Sequence, residues 1–138
     1  MAAPFLVTIF HNPACGTSRN VVAMVEAAGH RPEIIEYLKI GWSEAQLRDL
    51  LAAMGVAPRD ILRERGTPAA ELGLLDPETV DDVILAAMVQ HPILVNRPIV
   101  VTPRGAALCR PSERVFDLLD ALPQGFVKED GERVPDRN

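Results

Sequence analysis

Cysteine is scarce in this chain. Two occur in 138 residues, Cys15 and Cys109, far apart in sequence. The position three after Cys15 is Ser18, so there is no Cys-x-x-Cys pair. A structural disulfide is not expected from so sparse a set. Histidine is nearly as rare. His11, His30 and His91 show no metal-ligand spacing among themselves or with the cysteines, and no metal site is expected. Long apolar runs are missing too: none approaches the roughly 20 residues that cross a bilayer. An excess of positive charge is also lacking. The net charge of −5 argues against nucleic acid or an anionic membrane as a bulk partner. The first residues lack the basic region and small-residue cleavage site of a signal peptide. A cytoplasmic location, where thiols stay reduced, is the expectation. Repeats, low-complexity tracts and dividing linkers are absent as well.

What is present is ordinary globular material. Hydrophobic residues make up 48% and charged residues 24%. That length suits one domain over 1–138 with a sizeable core, expected as a monomer. The chain is organised around His11-Asn12-Pro13-Ala14-Cys15-Gly16-Thr17-Ser18-Arg19. Before it stands Phe5-Leu6-Val7-Thr8-Ile9-Phe10, which reads as a buried strand. After it come Val21, Val22, Val25 and Ala28 at helical spacing, with Gly29 as the stop. The nine residues therefore form a strand-to-helix turn, with Cys15 just ahead of the first helical turn.

That position favours reactivity. The first helical turn leaves backbone N–H groups unpaired, and its dipole favours negative charge. Both stabilise a thiolate, the nucleophilic form. The same N–H groups can cradle an oxyanion, and Thr17 and Ser18 add hydroxyls. His11, if protonated, would lower the cysteine pKa further. A lone cysteine is more commonly a small buried hydrophobe. Here Pro13, Gly16, Thr17, Ser18 and Arg19 make the surroundings polar and turn-forming, which suits an exposed reactive loop. Cys109, in a short strand, is expected to be core.

Further along, Pro32–Leu38 reads as a second strand, completing a βαβ unit with parallel pairing. Ser43-Glu44-Ala45-Gln46 is a capping box, and Leu47, Leu50, Leu51 and Met54 follow at helical spacing up to Gly55. Helical pieces then begin at Pro58, at Thr67-Pro68 and at Asp76-Pro77. The last has Val80, Val83, Ile84, Ala87 and Met88 as its apolar face. Residues 43–90 thus form an all-helical insertion. Ile99–Val101 is a strand, Thr102-Pro103-Arg104-Gly105 a turn, and Ala106–Cys109 the returning strand. Ser112 caps a final helix with Val115, Phe116, Leu118 and Leu119 inward. From Pro123 to Asn138 the tail is polar and expected to be loose. The order βα, β, helical insertion, ββα is a thioredoxin-like α/β plan: a mixed four-stranded sheet with the insertion between its second and third strands. From that plan Arg97–Pro98 is expected to be a cis bond.

Three stretches carry a family resemblance running from about Val7 to Asp120. They are His11–Asn20, the weaker Ile61-Leu62-Arg63, and His91–Pro103 continuing through Leu108-Cys109-Arg110-Pro111-Ser112-Glu113. Together they resemble the glutaredoxin-coupled arsenate reductases. The resemblance implies that Cys15 is the nucleophile and that His11 lowers its pKa. It implies that Arg63, Arg97 and Arg110 hold the oxyanion and its intermediates. Asn12, Gly16, Thr17, Ser18 and Arg19 would line the substrate site. After Arg63 the family usually has a basic residue and an asparagine; here Glu64-Arg65-Gly66 follows, which leaves Arg65 as the alternative. No bound cofactor is implied, with glutathione as co-substrate and glutaredoxin as partner.

The chemistry agrees with the residue types. Arsenate is a tetrahedral anion like phosphate, and arginine offers a planar fork of donors to such anions. Arg104 and Arg114 read as solvated surface charges. With Ser18 in place of a second cysteine, an external thiol must resolve an adduct on Cys15. Two other functions fit parts of the pattern. A monothiol glutathione-dependent oxidoreductase explains Cys-x-x-Ser but leaves the arginines idle. A thioredoxin-fold transcription regulator that binds RNA polymerase needs no catalytic arginines at all.

Overall fold

The computed structural model describes residues 5–135. These separate into two compact units, one formed by the segments up to Glu36 and from Arg97 onward, the other by Tyr37–Asn96.

The first unit holds the sheet. Its strands are β1 (Val7–Phe10), β2 (Pro32–Ile35), β3 (Ile99–Thr102) and β4 (Gly105–Leu108), in the order β2-β1-β3-β4. Strand β1 runs parallel to β2, with Ile9 opposite Ile34, and antiparallel to β3, with Ile9 opposite Val100. Strands β3 and β4 form a hairpin in which Thr102 faces Gly105. Helix α1 (Gly16–Ala27) connects β1 to β2 and buries Val21, Met24 and Val25. Gly29, at φ 91°, supplies the left-handed residue that ends it. A 3₁₀ stretch, Ser112–Leu118, closes the same core with Val115, Phe116 and Leu118. Ser112 does not cap it. Pro111 stands at the cap position, and the Ser112 hydroxyl bonds Glu113 Oε1 instead (2.8 Å).

The tail departs from expectation. It was expected to be loose from Pro123, yet it turns back on itself. Val127 bridges to Arg133, and the Val134 N–H donates to the Phe126 carbonyl at 2.9 Å. Val134 is buried in the sheet core, with Leu122 and Phe126 packed against it. Burial of three apolar side chains outweighs the polar composition between them.

The second unit contains helices α2 (Tyr37–Ile40), α3 (Glu44–Met54) and α4 (Asp81–Gln90), with short 3₁₀ turns at Pro58–Ile61 and Pro92–Leu94. Tyr37 and Leu38, read from sequence as the end of a strand, lie in α2; the strand stops at Ile35. The Tyr37 hydroxyl donates to the Val95 carbonyl (2.7 Å), so this aromatic ring is buried from a helix rather than from the sheet. Ser43 caps α3, accepting from the Gln46 N–H at 3.1 Å. Helix α4 begins at Asp81 rather than Asp76, and its buried residues are Ile84, Leu85 and Met88, whereas Val80 and Val83 are exposed. The helical piece expected from Thr67-Pro68 does not form: residues 64–80 are turns and loop, and one isolated bridge joins Leu62 to Val95.

Candidate active site

The end of β1 delivers His11 and Asn12 into a tight turn. The Cys15 N–H donates to the Asn12 carbonyl (3.0 Å), and Asn12 Oδ1 accepts from the Ala14 N–H (2.9 Å). The turn places Cys15 at the cap position of α1, in extended conformation (φ −100°, ψ 122°). Its carbonyl accepts the Arg19 N–H at 3.0 Å, while its thiol stands half-buried at the positive end of the helix.

Two arginines converge on that sulfur. Arg110 Nη1 lies 3.7 Å from Cys15 Sγ and donates to the Arg97 carbonyl at 3.0 Å. Arg97 is buried, and both arginines precede cis prolines, Arg97–Pro98 and Arg110–Pro111. The first cis bond was expected from the fold plan; the second was not. Burial alone would raise the Cys15 pKa. The Ser18 backbone N–H, donors of Arg97 and Arg110 and the Arg97 charge outweigh it, so the net shift is downward. Cys109 shows the opposite balance. It is fully buried in the sheet core, and burial pushes its thiol up to about 12. It is inert at neutral pH, in keeping with the sequence reading.

His11 is held inside the same turn. Read from sequence as lowering the cysteine pKa if protonated, it is buried, and burial lowers its own pKa more than the Glu36 charge raises it. It is therefore neutral at pH 7. Its Nδ1 lies 2.6 Å from Ser18 Oγ, and the same oxygen accepts the Asn12 N–H at 3.2 Å. The Ser18 hydroxyl, which already accepts one N–H, can donate to Nδ1 or accept from it, and either way ties the ring to the start of α1. His11 thus orients Ser18, whose backbone N–H favours the thiolate.

Arg19, expected from sequence in the substrate shell, is engaged by the tail and by the loop itself. Its Nε and Nη2 are taken by the Glu129 carboxylate at 3.0 and 2.7 Å, and its Nη1 by the Pro13 carbonyl at 2.7 Å. Gly16 and Thr17 form the first turn of α1, both half-buried. Arg63 belongs to the second unit. It donates to Asn96 Oδ1 at 3.2 Å and to the Arg65 carbonyl at 3.1 Å, while Arg65 itself is exposed. Sequence reasoning missed Glu129 and Asn20, which bind the tail to α1. The one available signal was Asp130-Gly131, a turn dipeptide between Val127 and Arg133. Among the described residues, no cluster of three or more His, Cys, Asp or Glu side chains could hold a metal ion, and no helix is long and apolar enough to cross a membrane.

A single helix-start thiolate on a thioredoxin-like sheet, faced by two arginines, defines a thiol oxidoreductase whose nucleophile is built to meet an oxyanion. Comparison with known proteins makes the class specific. Residues 10–118 match the ArsC family, and the chain belongs to it. Arsenate reductase ArsI2 of Synechocystis sp. (strain ATCC 27184 / PCC 6803 / Kazusa) is 58% identical over 132 residues, covering 95% of this chain and 94% of that protein. The arsenate reductase of Rhizobium meliloti (strain 1021) is 56% identical over 131 residues, covering 94% of each. Among solved structures, an arsenate reductase from Vibrio cholerae superposes with a TM-score of 0.80 at 37% identity, over 85% of this chain and 100% of that one.

Proposed function

We propose that this protein reduces arsenate to arsenite, with Cys15 as nucleophile and glutathione and glutaredoxin as the source of electrons. The observation that carries the reading is the placement of Cys15 Sγ at the start of α1 with Arg110 Nη1 3.7 Å away. Family membership and the names of close relatives support the substrate.

In this reading arsenate binds at the helix start, its oxygens facing backbone N–H groups and the Arg97 and Arg110 guanidinium groups. The Cys15 thiolate attacks arsenic, an As–O bond breaks, and the oxygen leaves as water after protonation. The arginines balance the charge on the arsenic oxygens as the adduct forms. A glutathione thiolate then attacks the Cys15 sulfur. The S–As bond breaks, its electron pair stays on arsenic, and As(V) becomes As(III). The products are arsenite and a Cys15–glutathione mixed disulfide. A glutaredoxin thiolate takes the glutathione by thiol–disulfide exchange, and Cys15 returns as thiolate. Both cysteines of the chain are accounted for: Cys109 is buried as a neutral thiol and Ser18 stands where a resolving cysteine would be, so the second thiol comes from outside.

Arg63 is proposed as the third arginine from its match to the family motif. His11 and Ser18 act as positioning residues. Asn12, Gly16 and Thr17 shape the anion cradle, and Arg19 clamps the loop. Residues 1–138 are proposed to act as one monomeric arsenate-reductase-like domain in the cytoplasm. The test is arsenite formation by purified protein with glutathione and glutaredoxin, omitting each in turn. Turnover should require all three components. Undiminished turnover without any added thiol would refute the proposal.

A further inference from the structure

Glu129 has no part in that chemistry, yet it reaches the nucleophile loop. It lies in the turn between Val127 and Arg133, and its backbone N–H donates to Asn20 Oδ1 on α1 at 3.0 Å. Its carboxylate grips Arg19 through two hydrogen bonds, and Arg19 grips the Pro13 carbonyl, two residues ahead of Cys15. The approach is close: a Cβ on Gly16 would stand 3.0 Å from Glu129 Oε1. Exposed ion pairs contribute little to stability, and these partners are 45% and 43% exposed. The bidentate geometry, the backbone anchor at Asn20 and the link to Pro13 point to a different role.

We propose that Glu129 is a positioning residue for Cys15: its carboxylate holds Arg19 as a clamp on the Pro13 carbonyl and cancels the guanidinium charge beside the thiolate. Arg19 is thereby kept out of the oxyanion's shell, which is left to Arg97 and Arg110. The inference rests on the reading of Cys15 as nucleophile. The charged and titratable groups around the sulfur are Arg97 and Arg110, Arg19 on α1, Glu129 with its neighbour Asp130 on the tail, and His11, itself facing Glu36. The tail keeps other anchors when Glu129 is changed. Lys128 Nζ pairs with Glu113 Oε1 at 2.7 Å, and Val134 remains buried in the core.

The experiment is alkylation of Cys15 by iodoacetamide in the full chain, followed against pH by intact mass. Glu129→Gln leaves Arg19 uncompensated and should lower the midpoint by about half a pH unit at low ionic strength, less with added salt. Arg19→Gln leaves Glu129 uncompensated and should raise it by a similar amount. The double variant should return near wild type, and Glu129→Asp, which keeps the charge, should stay near it. Glu129→Gln should also tighten inhibition by inorganic phosphate, since a guanidinium charge is released toward the anion site. A Glu129→Gln that melts earlier while its midpoint stays at the wild-type value would overturn the proposal, because the residue then only anchors the tail. Shifts of the same sign in both single variants would overturn it too. A chain inactive on arsenate would refute the reductase reading and leave this midpoint series to decide the role of Glu129 by itself.

Discussion

Arg110→Lys probes the site most sharply. Arg110 spans two acceptors with one nitrogen, the Cys15 sulfur at 3.7 Å and the Arg97 carbonyl at 3.0 Å. Lysine keeps the positive charge but loses the planar fork, so it cannot serve the sulfur, the carbonyl and a bound oxyanion from one plane. A hydrogen bond to a charged group is worth about 1.5–3 kcal/mol. The contact to sulfur is long, shared and half-exposed, so about 1 kcal/mol is the share felt by the free thiolate. At 1.36 kcal/mol per unit, the alkylation midpoint of Cys15 should therefore rise by somewhat less than about one pH unit. In turnover the fork also faces the arsenic oxygens. A full charged hydrogen bond lost there lowers the rate by about one to two orders of magnitude. The assay pairs the alkylation midpoint with arsenite formation under saturating glutathione and glutaredoxin. Arg104→Lys, at an exposed position in the β3–β4 turn, is the control and should leave both near wild type. Equal, small effects at Arg110 and Arg104 would refute the reasoning and make Arg110 a surface charge.

Ser18→Ala removes the partner of His11 Nδ1 and the acceptor of the buried Asn12 N–H, and should destabilise the fold by about 1–3 kcal/mol, read from denaturant unfolding. His11→Asn, which loses the bond to Ser18 Oγ but leaves the Ser18 backbone N–H in the first turn of α1, should shift the Cys15 midpoint less than Arg110→Lys does. The folded pKa of His11 lies below the ordinary value, so protonation favours the unfolded chain. Its contribution to stability should be present above about pH 6.5 and fall away as pH drops through the lowered folded pKa, and His11→Asn should flatten that acid limb. Cys15→Ser should abolish arsenate reduction, whereas Cys109→Ser should retain most of it. In native wild-type protein at pH 8, alkylation should label Cys15 alone, since burial holds the Cys109 thiol up at about 12.

The strand-to-helix turn was legible because three local signals coincide there: an apolar run, a turn-forming loop and a helical repeat ending in Gly29. The cysteine, Arg97 and Arg110 were found because motif and strand order place them together. The face of α4 was misread because Val83, Ile84, Leu85, Ala87, Met88 and Val89 are apolar nearly all round, so period alone cannot choose a side. Tyr37 and Leu38 extend an apolar run, and a run of that length does not tell a strand from the start of a buried helix. The charge state of His11 depends on burial, which no spacing encodes. The tail was misjudged by its average polarity, although Leu122, Phe126 and Val134 join the sheet core. The Arg19–Glu129 pair joins residues too distant in sequence to leave any periodic trace.

The central claim is that electrons reach arsenic through Cys15 and leave that cysteine joined to glutathione. Wild-type protein incubated with arsenate and glutathione, without glutaredoxin, tests it when the intact mass of the chain is followed over time. The account predicts a single glutathione adduct, mapped by peptide analysis to Cys15, formed only when arsenate is present and removed when glutaredoxin is added. A Cys15→Ser variant that still releases arsenite, or a wild-type adduct that forms equally well without arsenate, would contradict it.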